Sequence, residues 1–218
     1  AQFVSGDLYD CFLSSGSSIV FSMADISGKG VHAAMLSSST KTVLRIDSRE
    51  NIPPSVRIRN MNAAMSDELV NAGMFITLFV GDVDPPSGLV RYANAGHTEA
   101  LVIRHEDLRC ERLPATGIPI GILPDFEYVE AETSLSPGDL LVLYSDGITE
   151  TANVRGELYG IERLEESARR SMPQDDPRDI LACLIADVNA FRGTAALSDD
   201  LSLFILKPGE RSIPFSME

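Results

Sequence analysis

A chain of 218 residues with 32 acidic and 18 basic side chains, a formal net charge of −14, is long enough for one well-buried domain and short for two. That balance argues against wrapping a nucleic acid or lying on an anionic membrane, because both rest on Lys and Arg neutralising phosphates. With 44% hydrophobic and 23% charged residues the composition is that of an ordinary globular protein, and no apolar run is long enough to span a bilayer.

In chain order, SGDLYD opens the sequence with chemically loaded residues directly after Ala1, which is not an initiator Met. The expectation is a single domain over residues 1–218, cut from a longer protein whose upstream segment is not included. Residues 18–25 read as a short buried strand running into the Gly-rich turn SGKG. A helix is expected from Val31 to Ile46, where no breaker intervenes. Pro53-Pro54-Ser55 starts another, with Ile58, Met61, Met65 and Leu69 at offsets of three, seven and eleven forming one apolar stripe.

The period then changes. Segments 74–84, 89–95 and 99–105 are rich in β-branched and aromatic residues, and PPSG at 85–88 joins the first two as an antiparallel hairpin. Residues 106–125 read as a long Pro- and Gly-rich loop over an edge or rim. Segment 126–135 is a strand candidate, and 140–146 has the continuous apolar run of a strand buried on both faces. Helices follow over 161–171 and after Asp179 as a cap, and 201–207 is the last strand. Helix pairs, hairpins and buried strands in this order favour α+β layers. Cys11, Cys110 and Cys183 are widely spaced and odd in number, as in a reduced cytoplasmic protein with free thiols.

Four acidic spots share one arrangement: Asp7 at the start, Asp25 at the end of a strand, Asp146 at the end of the most apolar strand, and Asp199-Asp200 before the last. Carboxylates at the ends of buried strands are costly to desolvate unless something positive meets them. Hard divalent cations take oxygen ligands and keep several waters, so a few Asp side chains suffice. One Asp before a Gly is usually a turn residue. Four beside buried strands leave a shared site and separate turns about evenly matched on spacing alone.

SGDLYD, ADISGKGVHAAML, MFITLFVGDVDPPSGLVRYANAGH, TGIPIGILPD, LSPGDLLVLYSDGITETAN, GELYG and LSDDLSLFIL occur in this order from Gly6 to about Leu206. Together they resemble the bacterial PPM-type (PP2C-like) serine/threonine phosphatases of the RsbU/SpoIIE family. The resemblance implies an αββα sandwich of two antiparallel sheets flanked by helix pairs, with two Mn²⁺ or Mg²⁺ at one end. It makes Asp7, Asp25, Asp146 and Asp200 the catalytic metal ligands, with Asp25 bridging both ions. The Ile26 carbonyl is a further ligand, and Asp199 competes with Asp200. Asp10 matches no ligand and reads as structural.

The implied reaction is hydrolysis of phosphoserine or phosphothreonine by a hydroxide that two nearby cations generate from bridging water. The implied substrate is a phosphorylated STAS-type anti-sigma-factor antagonist. Upstream sensory or linker segments, and a homodimer, would regulate the domain, with segments 31–47 and 54–72 as switch elements. No cysteine sits in a Cys-x5-Arg loop. Where eukaryotic relatives carry a His after the bridging Asp, this sequence has Ser27 and Lys29, which leaves the proton donor open. Lys29 reads as an exposed turn lysine, His32 as packed or solvated, and His97 as a hydrogen-bonded structural residue. The turn is no P-loop, lacking its spacer and its Ser/Thr after Lys. A catalytically silent partner-binding module on the same fold is the competing reading.

Overall fold

The computed structural model describes residues 6–28, 30–47 and 52–209. In chain order these form β1 (Leu8–Leu13), β2 (Ile19–Ile26), α1 (Val31–Asp47), α2 (Pro54–Ala72), β3 (Ile76–Val83), β4 (Leu89–Ala95) and β5 (Ala100–Ile103). Then follow β6 (Cys110–Leu113), β7 (Ala131–Ser134), β8 (Leu140–Tyr144), α3 (Asp146–Thr149), α4 (Gly160–Ser171), α5 (Pro177–Arg192) and β9 (Leu203–Leu206). One sheet has the order β1-β2-β3-β4-β7 and the other β6-β5-β8-β9. Every ladder in both is antiparallel.

Three apolar clusters define the layers. Leu36, Leu44, Ile58, Met61 and Leu69 of α1 and α2 pack on Val20, Ala24, Ile26, Leu78 and Val80. Leu164, Ala168, Ile180, Leu184 and Val188 of α4 and α5 pack on Leu140, Val142 and Tyr144. Between the sheets lie Phe21, Met23, Phe79, Leu141 and Leu143. Alternate residues of a strand point to opposite faces, so β2 sends Phe21 and Met23 between the sheets, and Asp25 follows on that same side. This is the expected αββα sandwich.

Several expectations need correction. β1 was not anticipated, because its inward position Asp10 is acidic and hides the alternation of Leu8 and Phe12. That carboxylate is 5% exposed and takes Arg45 Nε at 2.6 Å and Nη2 at 2.8 Å. β6 interrupts the expected 106–125 loop. Further along that segment Thr116 N and Gly117 N donate to the Asn94 carbonyl of β4, and Ile120 lies at the start of β3, where Ile76 and Ile120 exchange backbone hydrogen bonds of 3.0 and 2.8 Å. The 126–135 strand shrinks to β7, since Phe126 and Tyr128 pack into the helix-side core as unpaired extended chain. The cap of α5 is Asp176, whose side chain accepts from Arg178 N ahead of Pro177, rather than Asp179.

Candidate metal centre

The carboxylates expected to act together converge at one pole of the sandwich. Leu8 lies opposite Ala24 in the β1–β2 ladder, so Asp7, one residue back, comes level with Asp25. Gly6 makes this approach possible: a Cβ there would stand 2.6 Å from the Ile26 carbonyl oxygen and 3.4 Å from Asp25 Oδ1. Across the inter-sheet gap, Asp146 opens α3 directly after β8. A Cβ on Gly147 would meet the Asp200 carbonyl at 2.0 Å, so that glycine lets the Asp199–Asp200 segment lie against α3.

Two serines stitch the sheets together here, and sequence reasoning did not single them out. Ser202 Oγ donates to Asp7 Oδ2 at 2.6 Å, and Ser202 N donates to Ser145 Oγ at 3.1 Å. Ser145 Oγ in turn reaches the Asp200 carbonyl at 3.4 Å. Their one sequence signal is a hydroxyl next to, or two residues from, an aspartate in YSDG and SDDLS.

The charge bookkeeping is lopsided. Burial, then the charges of Asp7, Asp146 and Asp199, push Asp25 up to about 7. Burial also raises Asp7, against the Ser202 and Ser145 hydroxyls, while Asp200 and Asp146 add to the rise. Asp199 therefore bears on Asp25 and Asp200 on Asp7, so the charges of both members of the pair are felt at the pole. Among the described residues no three Asp, Glu, His or Cys side chains are gathered closely enough to hold an ion as they stand. The fit to a divalent cation rests instead on donor chemistry. Oxygen ligands from four chain segments, with repulsion that a cation would relieve, suit a hard ion.

The remaining candidates have ordinary roles. Ser27 is tied to the main chain, accepting from Phe75 N at 2.8 Å through its hydroxyl. His32 is exposed, and Lys29 lies outside the described residues. The three cysteines are free thiols. His97 is buried directly behind the pole, with Nδ1 at 2.9 Å from Thr77 Oγ1, which also reaches the Asp25 carbonyl at 3.4 Å. Its backbone N–H donates to Asn94 Oδ1 at 2.8 Å, so the NAGH turn is a structural latch between β4 and the site.

Burial pushes His97 down to about 4, the Tyr144 carbonyl beside it acting the other way. The native ring is therefore neutral where an unfolded one would take a proton. Its stabilising contribution is fully present above pH 6.5 and is lost as pH falls towards 4, on the order of 3 kcal/mol. His97→Gln is expected to flatten the loss of stability between pH 7 and 4.5 relative to wild type in denaturant titrations. Identical slopes would rule this out.

An αββα sandwich with an acidic pole between its sheets is the PP2C-like arrangement. The family model for stage II sporulation protein E (SpoIIE) matches residues 15–208, and the chain belongs to that family. It is 32% identical over 209 residues to the phosphoserine phosphatase RsbU of Bacillus subtilis, covering 95% of this chain and 60% of RsbU. It is 31% identical over 193 residues to protein IcfG of Synechocystis sp., covering 77% of this chain and 30% of IcfG. The chain thus spans less than two thirds of either relative. Among solved structures, the SiaA-PP2C domain of Pseudomonas aeruginosa superposes with a TM-score of 0.81 at 21% identity, covering 94% of this chain and 81% of that one. No helix among the described residues is long and apolar enough to cross a membrane.

Proposed function

We propose that residues 1–218 form one metal-dependent protein phosphatase domain that hydrolyses phosphoserine or phosphothreonine on a regulatory protein. The observation that carries this reading is the convergence of Asp7, Asp25, Asp146 and the Asp199–Asp200 pair between the sheets, in a chain of the SpoIIE family. These carboxylates, with the Ile26 carbonyl, would hold Mn²⁺ or Mg²⁺. When bound, two such ions neutralise phosphoryl charge and activate water for hydrolysis.

The chain's own residues set the stage. Ser202 holds Asp7 in one orientation and ties it to the β8–α3 junction that presents Asp146. His97 and Thr77 brace the strand behind Asp25. Gly6 and Gly147 remove the side chains that would keep the segments apart. No thiol takes part.

RsbU is named a phosphoserine phosphatase; the proposed substrate, as the sequence motifs imply, is a phosphorylated STAS-type anti-sigma-factor antagonist. Upstream sensory or linker segments and a homodimer belong to the same reading. The test is phosphate release from such a phosphoprotein, with and without Mn²⁺. Release is expected to rise at least tenfold with Mn²⁺, an effect of about 1.4 kcal/mol on the barrier. A chain that binds the phosphoprotein equally without Mn²⁺ and never releases phosphate is the silent binding module instead.

A further inference from the structure

Beside the acidic pole lies a cleft of about 540 Å³, lined by Asp7, Leu8, Tyr9, Lys41, Asp200, Leu201 and Ser202. Its size falls within the roughly 300–1,000 Å³ of ligand clefts. It opens between β1, the edge strand of one sheet, and the segment leading into β9, the edge strand of the other. One end is the candidate metal centre itself. The far wall is the Lys41 face of α1.

The lining is unlike the pole. Tyr9 is 61% exposed at the cleft mouth, although a large aromatic on a strand normally finds cover. Leu8 and Leu201 supply an apolar floor. Lys41 and Arg45 both approach Asp10, but Arg45 already occupies both carboxylate oxygens, at 2.6 and 2.8 Å. Lys41 Nζ stays at 3.6 Å, its side chain 45% exposed. Two cations against one carboxylate leave a net positive charge on this wall, next to a pole of five aspartates in a chain of net charge −14.

We infer that this cleft is the docking subsite for the polypeptide flanking the phosphorylated residue, and that it selects an apolar side chain together with an acidic one. The inference rests on the phosphatase reading above. A phosphoserine in a protein can reach the pole only if its flanking chain lies along the adjoining surface. An acidic flank is repelled by the aspartates wherever it lies, except along the wall that carries Lys41. There it gains a partner, while the apolar neighbour covers Tyr9, Leu8 and Leu201.

The experiment compares two phosphoserine peptides, one flanked on both sides by Glu and Leu and the other by Lys and Gly, with p-nitrophenyl phosphate as a flank-free substrate. Rates with Mn²⁺ are measured for wild type, Lys41→Glu, Lys41→Gln and Tyr9→Ala. Fluorescence anisotropy of the labelled peptides on the same proteins reads docking without turnover. Wild type is expected to favour the Glu/Leu peptide about three- to fivefold, the scale of one partly exposed ion pair. Lys41→Gln should abolish that preference and Lys41→Glu reverse it. Tyr9→Ala should lower the ratio of peptide to p-nitrophenyl phosphate kcat/KM.

Unchanged peptide preference in both Lys41 variants, with intact melting curves, overturns the inference. So does an equal fall in all three substrates, which would put Lys41 on the phosphoryl group. If no substrate releases phosphate, the phosphatase reading fails, and the anisotropy preference alone decides the subsite.

Discussion

Replacing Asp25 with Asn is expected to lower Mn²⁺-stimulated turnover by at least two to three orders of magnitude while raising the melting temperature of the metal-free chain. The two effects have one cause. Asp25 sits where Asp7, Asp146 and Asp199 crowd it, and burial leaves it poorly solvated, so its pKa rises from 3.8 to about 7. A carboxyl that holds its proton more tightly in the folded state favours folding most below pH 3.8. That contribution is lost as pH rises through 7. Asn keeps the shape, carries no charge and removes that loss.

The same neutralisation takes away the charge a divalent ion would bind, and losing a preorganised electrostatic element costs about 10²–10³ in rate. Asp146→Asn is expected to lower turnover to a similar degree. Calorimetry at pH 5 and pH 8 should show the stability gain of Asp25→Asn growing with pH, alongside a phosphate-release assay. Normal turnover in both variants would remove these aspartates from the site. A lower melting temperature at pH 8 would mean that Asp25 is not under repulsion.

How much of this could be read from the sequence depended on whether the signal was local. Asp25 and Asp146 were legible because each closes an apolar run, and a strand that ends in a carboxylate stands out. Helix α2 and the 74–95 hairpin carried their own periodicity and turn chemistry, and α1 showed as a run without a breaker. β1 was hidden because Asp10 occupies an inward position that the distant Arg45 and Lys41 make tolerable, a tertiary compensation no local pattern encodes. Ser202 escaped for the same reason. Its partner Asp7 lies 195 positions away, and an isolated serine in a strand has many bland explanations. The acidic pole as a common place was suggested by spacing, but its residues share it only because antiparallel register brings Asp7 level with Asp25.

Arg57→Ala is expected to be the most destabilising single change outside the pole, by about 3–5 kcal/mol. Arg57 is fully buried under α2, the largest of the fully buried side chains among the described residues. Its guanidinium grips Asp82 of β3 with two parallel contacts, Nη2 to Oδ2 at 2.8 Å and Nη1 to Oδ1. Its Nε, also buried, has no hydrogen-bond partner among the described residues. Burial raises the Asp82 pKa even against the hydrogen bond and charge of Arg57, so desolvation outweighs the attraction within the pair.

A pair in that balance adds little net stability, yet half of it is worse than none. Alanine leaves a cavity beneath α2 and strands Asp82 against an apolar helix face. For a domain of this size the loss corresponds to a fall of roughly 10 °C in melting temperature. The double variant Arg57→Met with Asp82→Val, which removes both charges and refills the space, should recover most of it. Denaturant titrations of the two single variants and the double close the cycle. Additive losses, with the double variant less stable than either single one, would show that the two side chains act independently and that the pair is not what fixes α2 to the sheet.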